Sequence, residues 1–221
     1  MPHAADNRTL KHGCIVMASG VGARFGGNKL MAELCDAPLV GHVVRATDDL
    51  FSRRVVVTRH ADVAALCETL GAQVILHDEP CRNDTVRLGM EAMDGCDTVT
   101  FVQGDQPLIR PASIVALLRA AERDAAGAVR RDAAGRGVAR IWRTSFDGVP
   151  GAPVLFPSWA FDELRSLPRG KGGGFVAKTH AECVRTIEVS SEWELFDVDT
   201  RDDLERLQTH VARCGSAGLP R

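Results

Sequence analysis

Four short runs constrain the chain most: CIVM at 14–17, RVVVT at 54–58, QVIL at 73–76 and TVTFVQ at 98–103. Each is apolar or β-branched along almost its whole length, leaving little face to turn toward water. Between and after them, residues 38–50, 61–70, 85–93 and 113–123 carry apolar side chains at helical spacing. The segment 61–70 stops at Gly71, a C-terminal cap signal. Strands buried on both faces and alternating with helices predict a mostly parallel sheet covered on both sides. The expected fold class is therefore α/β, a Rossmann-like three-layer sandwich with a mostly parallel mixed sheet.

After Ala125 the pattern weakens. The stretch DAAGAVRRDAAGRGVAR is low in complexity and reads as a loop or as a poorly marked strand over 138–142. GAPVLF contains a strand, 159–167 a helix, RGKGGGF a second glycine-rich loop, 184–189 a late strand and 200–211 the last helix. With no repeats or linkers, we expect one domain over 13–210, divided into halves at about 13–125 and 126–210. Flexible tails are expected at 1–12 and 211–221.

Bulk properties exclude several classes. The chain has 221 residues, and 45% hydrophobic content suffices for a core. A net charge of −2 gives no general attraction to nucleic acid or anionic membrane, so any anion site must be local. Seven cysteines without a C-x-x-C pair read as reduced, buried thiols. The polar N-terminus is no signal peptide, and no apolar run approaches the ~18 residues of a membrane helix, so the expected location is the cytoplasm.

One glycine-rich segment, ASGVGARFGGNK at 18–29, follows the first strand. A strand, glycines and then a helix let backbone N–H groups cradle phosphates. Gly20, Gly22, Gly26 and Gly27 permit close approach, while Arg24 and Lys29 supply a guanidinium fork and a point cation. The P-loop pattern fails because Asn28 and Leu30 flank Lys29, leaving no hydroxyl for magnesium. The strict dinucleotide fingerprint fails because Phe25 holds its last glycine position. The plain alternative is a strand-to-helix turn with no ligand.

Carboxylates for a divalent cation must then come from elsewhere. TFVQGDQPL places Asp105 just past a strand end, the edge where open α/β sheets bind ligands. LFDVDTRDDLE places Asp197 and Asp199 two apart before the last helix. Asp199 or Thr200 could instead cap that helix, and Asp202 and Asp203 suit its dipole.

These segments together resemble a known family. ASGVGARFGGNK is similar to the nucleotidyltransferase signature A-A-G-x-[GS]-x-R-[FM]-G-x-x-K, with Ser19 in place of an alanine; GDQP resembles G-D-x-P, and DVDTRDDL resembles D-[IV]-D-T-P-E-D-L with Arg201 for proline and Asp202 for glutamate. NKL, PLVGHVV, GDQPLI and GAPVLFP, in that order, bring the resemblance closest to the molybdenum cofactor cytidylyltransferases. The resemblance implies a nucleotidyltransferase-type fold and CMP transfer from CTP to molybdopterin or its molybdenum form, with release of pyrophosphate and Mg2+ as cofactor. It implies catalytic roles for Arg24, Lys29 and Asp105. Nucleotide binding would fall to Ala18, Ser19, Gly20, Gly22, Arg24, Lys29, Asn83, Thr85 and Asp105, and metal binding to Asp105 and Asp199. Asp197 is a lesser metal candidate. Gly151, Lys171 and Gly172 would meet the acceptor, although Ala152 replaces an asparagine and GKGGGF lacks the family's acid. The product would pass to a molybdoenzyme or its chaperone.

Several residues carry a second reading. Asn83, Asp84 and Thr85 also suit a helix N-terminus, and Arg87 faces solvent more readily than a phosphate. Trp142, Trp159 and Trp193 suit core packing better than stacking on a pterin. Alternatives to the main function are guanylyl transfer to molybdopterin, cytidylyl transfer to a sugar phosphate or sugar acid, and a non-catalytic cofactor-binding chaperone.

Overall fold

In the computed structural model, which describes residues 9–127 and 139–214, one seven-stranded sheet organises the chain. β1 (His12–Ala18) pairs in parallel with β4 (Arg53–Thr58) on one side and β6 (Thr98–Gln103) on the other. β5 (Gln73–Leu76) extends the parallel part beyond β4. Past β6 the sense changes: β8 (Val149–Pro157) runs antiparallel both to β6 and to β7 (Ile141–Phe146), and β9 (Val184–Glu188) pairs in parallel with β7. The order is β5-β4-β1-β6-β8-β7-β9, and a two-residue hairpin, β2 (Glu33–Leu34) with β3 (Ala37–Pro38), stands apart.

The two faces of β1 explain its unbroken apolar run. Cys14, Val16 and Ala18 enter a layer with Val40 and Val43 of α1 (Leu39–Ala46) and Val63 and Cys67 of α2 (Ala61–Thr69). Ile15 enters the opposite layer with Val86 and Met90 of α3 (Arg82–Glu91), Leu164 of α5 (Phe161–Arg165) and Val176 of α6 (Gly173–Thr179). Leu117, Leu118 and Ala121 of α4 (Pro111–Gly127) pack on Leu155. Leu207 and Val211 of α7 (Arg201–Cys214) join Leu34, Leu39 and Leu108. This is the three-layer arrangement expected.

Boundaries differ from the expected ones for local reasons. The helix expected over 38–50 is α1 alone: Thr47 turns its hydroxyl back on the Val43 and Val44 carbonyls, and Asp49 adopts a φ of 53°. The helix expected from Thr85 begins at Arg82, because the Asp84 carboxylate accepts from the Cys81 N–H at 3.2 Å and closes the first turn. The helix expected over 159–167 divides into a 3-10 turn, Ser158–Ala160, and α5. Of the stretch read as a loop or a strand over 138–142, only Ile141 and Trp142 are in a strand, β7; Ala139 and Arg140 precede it, and Val138 lies outside the described residues, as does most of the stretch before it. The second glycine loop is partly helical, since α6 starts at Gly173. A Cβ there would stand 3.2 Å from the Phe156 ring, so glycine lets the helix lie against β8. Within the tails expected at 1–12 and 211–221, His12 belongs to β1 and 211–214 to α7, while 1–8 and 215–221 lie outside the described residues. None of the seven cysteines is in a disulfide, but only Cys14 and Cys67 are buried as expected, and burial pushes Cys67 up to about 11; Cys35 and Cys214 are exposed.

His12 gives the fold an acid-sensitive point. Its Nδ1 lies 2.7 Å from Thr98 Oγ1 and its Nε2 lies 3.7 Å from Glu122. Burial lowers its pKa below the ordinary value of 6.5, although Glu122 and Asp97 pull the other way. The folded protein therefore holds His12 neutral where the unfolded chain takes a proton. This contribution is present above pH ~6.5 and is lost as pH falls below it. In His12→Gln, the urea midpoint should fall less between pH 7.5 and pH 5 than in the wild type. A separate test concerns packing: a Cβ at Gly89 would stand 2.7 Å from Ile15, so Gly89→Ala should cost about 1–3 kcal/mol, read as a lower midpoint at unchanged m-value.

Candidate active site

The glycine segment leaves β1 at the C-terminal edge of the parallel strands. Gly22 has a φ of 59°, and a Cβ there would collide with the Gly27 carbonyl oxygen. Its own carbonyl accepts from the N–H groups of Phe25 and Gly26 at 2.9 and 3.0 Å, closing a tight turn. Phe25 is the loop's apolar anchor, buried against Leu34, Leu39 and Leu207 with the Arg201 guanidinium 5.0 Å over its ring. The helix expected after the loop is only a 3-10 turn, Lys29–Met31, which Asn28 caps through the Leu30 N–H. The loop therefore presents its own backbone to a ligand, with no full helix behind it.

Two histidines tether the start of the loop, and sequence reasoning missed both. Ser19 Oγ donates to the Val57 carbonyl at 3.1 Å and lies 2.9 Å from His77 Nε2. His60 Nε2 donates to the Gly20 carbonyl at 2.9 Å. Burial and then the Arg59 charge hold the His77 pKa below its ordinary value. The available signal was Ser19 itself, a hydroxyl where an alanine was expected.

The charged centre is assembled from three chain segments. Lys29, almost fully buried, donates from Nζ to Asp105 at 2.6 Å and to Asp199 at 2.7 Å. Burial alone would lower the Lys29 pKa; the two carboxylates outweigh it and hold the ammonium above its ordinary value. The Lys29 hydrogen bond, aided by Arg24 at 2.7 Å, holds Asp199 below the usual carboxylate range. Asp105 is fixed by its own backbone: its carbonyl accepts from the Val198 N–H at 3.1 Å, and Gly104 N–H donates to Met17 in β1. Gln106, also missed, donates to the Leu195 carbonyl and ties the two acidic segments together. Thr200 caps α7 by accepting from the Asp203 N–H, and Asp203 accepts from Thr200 in return. Asp199 is thus released from the alternative capping role and pairs instead with Lys29 and Arg24. Asp197 opens into the cleft. Enclosure by the cleft walls, and then the charges of Asp105 and Asp199, push its pKa up to about 6.

A cleft of about 1100 Å³ joins these groups. Of the residues the sequence singled out, Ser19, Gly20, Gly22, Arg24, Lys29, Thr85, Asp105, Gly151, Gly172, Asp197 and Asp199 line it. Three do not. Ala18 points into the core beside Val16. Asn83 is occupied with Asp84 and with the Gly170 N–H. Lys171 is exposed outside the lining. Arg87 pairs with Glu91 at 2.8 Å, away from the lining. The tryptophans are structural: Trp142 donates to Asp124, Trp159 to the Ala139 carbonyl, and Trp193 stacks on His210. Arg59, Arg82 and Arg143 also line the cleft and were not anticipated, because isolated arginines carry no spacing signal.

The donor set suits a hard divalent cation. Two carboxylates converge, and magnesium is usually held by one or two carboxylates together with substrate phosphates. Among the described residues no group of three or more His, Cys, Asp or Glu forms a complete cage, so phosphate oxygens would have to finish the coordination. Among the described residues, too, no helix is long and apolar enough to cross a membrane.

Comparison with known proteins follows the same lines. The chain is 34% identical over 122 residues to a 3-deoxy-manno-octulosonate cytidylyltransferase of Anaeromyxobacter sp. (strain Fw109-5), which covers 51% of this chain and 48% of the relative. The chain thus spans about half the length of the curated relatives it matches. Its fold superposes on Rv0371C of Mycobacterium tuberculosis in complex with manganese, with a TM-score of 0.71 at 19% identity over 91% of this chain and 100% of that one. It superposes on CMP:2-keto-3-deoxy-manno-octonic acid synthetase complexed with CTP with a TM-score of 0.69 at 15% identity, over 93% and 100% of the two chains. Residues 14–184 match the model of one family across most of the chain, from β1 to the start of β9, and on that match the protein belongs to the MobA-like NTP transferase domain family.

Proposed function

We propose that the protein is a nucleotidyltransferase that moves CMP from CTP to a small anionic acceptor and releases pyrophosphate. The observation that carries this reading is Lys29 held between Asp105 and Asp199 beneath a glycine loop. Cation, carboxylates and the loop backbone meet at one edge of the sheet, as transfer from a nucleoside triphosphate to an anionic acceptor requires. The loop amides, Arg24 and Lys29 receive the triphosphate and stabilise the pyrophosphate as it leaves. Asp105 and Asp199 would hold Mg2+, which supplies charge neutralisation at the transferred phosphate. The same intact set of groups speaks against a purely cofactor-binding chaperone.

CTP as donor is supported by relatives named as cytidylyltransferases. The same names favour a sugar acid as acceptor over the molybdopterin that the motifs first suggested. Molybdopterin remains the second reading, supported by GDQPLI and GAPVLFP in order and by the MobA-like family match. A phosphomonoester acceptor is already anionic at pH 7, with a second pKa near ~6, and would need no general base.

Pyrophosphate release in the presence of each NTP, with 3-deoxy-manno-octulosonate or molybdopterin supplied, tests donor and acceptor together. CTP with one of these acceptors should support turnover; GTP as the sole productive donor would overturn the reading. Chelation should abolish turnover, and added Mg2+ should restore it. Asp105→Asn should keep the native circular dichroism and lose roughly 100-fold or more in kcat. A variant within about threefold of wild type would remove Asp105 from the chemistry.

A further inference from the structure

Arg143 lies on β7 and lines the cleft, from the second half of the chain. The ladder between β7 and β8 is broken beside it: Arg143 pairs with Val154, yet Ser145 pairs with Pro150. Extra residues of β8 therefore bulge out opposite Thr144. Bulges are frequent next to active sites, where they re-aim side chains. Here the bulge turns the Gly151 carbonyl to Arg143, which donates to it from Nε at 3.1 Å and from Nη2 at 2.8 Å. Gly151 has no room for a side chain, since a Cβ would stand 2.9 Å from Leu195.

Those two bonds use two of the five N–H donors and fix the plane of the guanidinium. No carboxylate among the described residues pairs with it, in contrast to Arg24 and Lys29, which Asp199 holds. Burial disfavours its charge, and no neighbouring acid offsets that cost. A half-buried cation with oriented, unspent donors on a cleft wall is suited to an anion that arrives from outside. Gly172, Gly173 and Gly174 also line the cleft, so a ligand can approach bare backbone there.

We propose that Arg143 binds the anionic group of the acceptor, a carboxylate or a phosphate, as a specificity-determining residue on the acceptor side of the cleft. This rests on the transfer reading above. The rival role is structural, with Arg143 merely bracing the Gly151 bulge.

The test is calorimetric titration of inorganic phosphate and, separately, of 3-deoxy-manno-octulosonate into wild type, Arg143→Gln and Arg143→Lys, each saturated with Mg2+ and a non-hydrolysable CTP analogue. Wild type should bind at least one probe. Arg143→Gln should weaken that binding roughly 10-fold or more, with Arg143→Lys intermediate because it keeps the charge and loses the fork. Affinity for the CTP analogue should stay within about twofold in all three. Loss confined to the sugar acid assigns a carboxylate; loss of phosphate binding assigns a phosphate. Equal probe binding by wild type and both variants, no probe binding by wild type, or a parallel loss of CTP-analogue affinity overturns the proposal. Arg143→Lys covers the case in which the glutamine variant fails to fold. Arg143-dependent anion binding without pyrophosphate release from CTP in the wild type would count against the transfer reading alone.

Discussion

The site depends on one ammonium group. Lys29 draws together two carboxylates that stand 76 and 170 residues away in the chain. Without it, Asp105 and Asp199 would face each other as like charges in a partly enclosed space. With it, Asp199 is held below the usual carboxylate range and both side chains are held in place before any ligand arrives. In the proposed reading the group that holds the carboxylates together also receives the triphosphate, so preorganisation and substrate affinity would come from the same side chain.

Much of this was legible in the sequence. The four apolar runs define the strands because burial on both faces leaves no room for polar alternation. Arg24, Lys29 and Asp105 stood out by their offsets from the glycines and from the end of β6, and Asp199 by its place before the last helix, while the resemblance to nucleotidyltransferases gave them their expected roles. What escaped depends on contacts between distant segments. His60 and His77 tether the loop through Ser19 and Gly20, and nothing in their local sequence marks them. Lys171 and Asn83 were drawn toward the cleft by neighbouring motifs, but Lys171 points to solvent and Asn83 is spent on the Gly170 N–H. Arg143 became visible only through a register shift between β7 and β8, which no periodicity announces.

The two halves of the chain differ in how tightly local pattern determines them. The parallel half repeats one unit, strand then helix, and its active groups sit at predictable edges. In the other half the sheet reverses direction, a bulge interrupts the ladder, and α6 opens on Gly173, against which Phe156 presses. In the proposed reading the surface facing an acceptor is built from these irregularities, and such a division would let the triphosphate side stay constant while the acceptor wall changes residue by residue.

The reciprocal bonding of Thr200 and Asp203 has a further consequence for how the protein comes into being. It places Asp199 at the mouth of the last helix, and α7 also packs beneath the anchor Phe25 of the glycine loop. During synthesis the loop, Lys29 and Asp105 all leave the ribosome well before this helix does. The nascent protein would therefore carry an incomplete site with a single carboxylate opposite Lys29. Competence for chemistry would arrive with the final helix, so the order of residues along the chain also times when the site is completed.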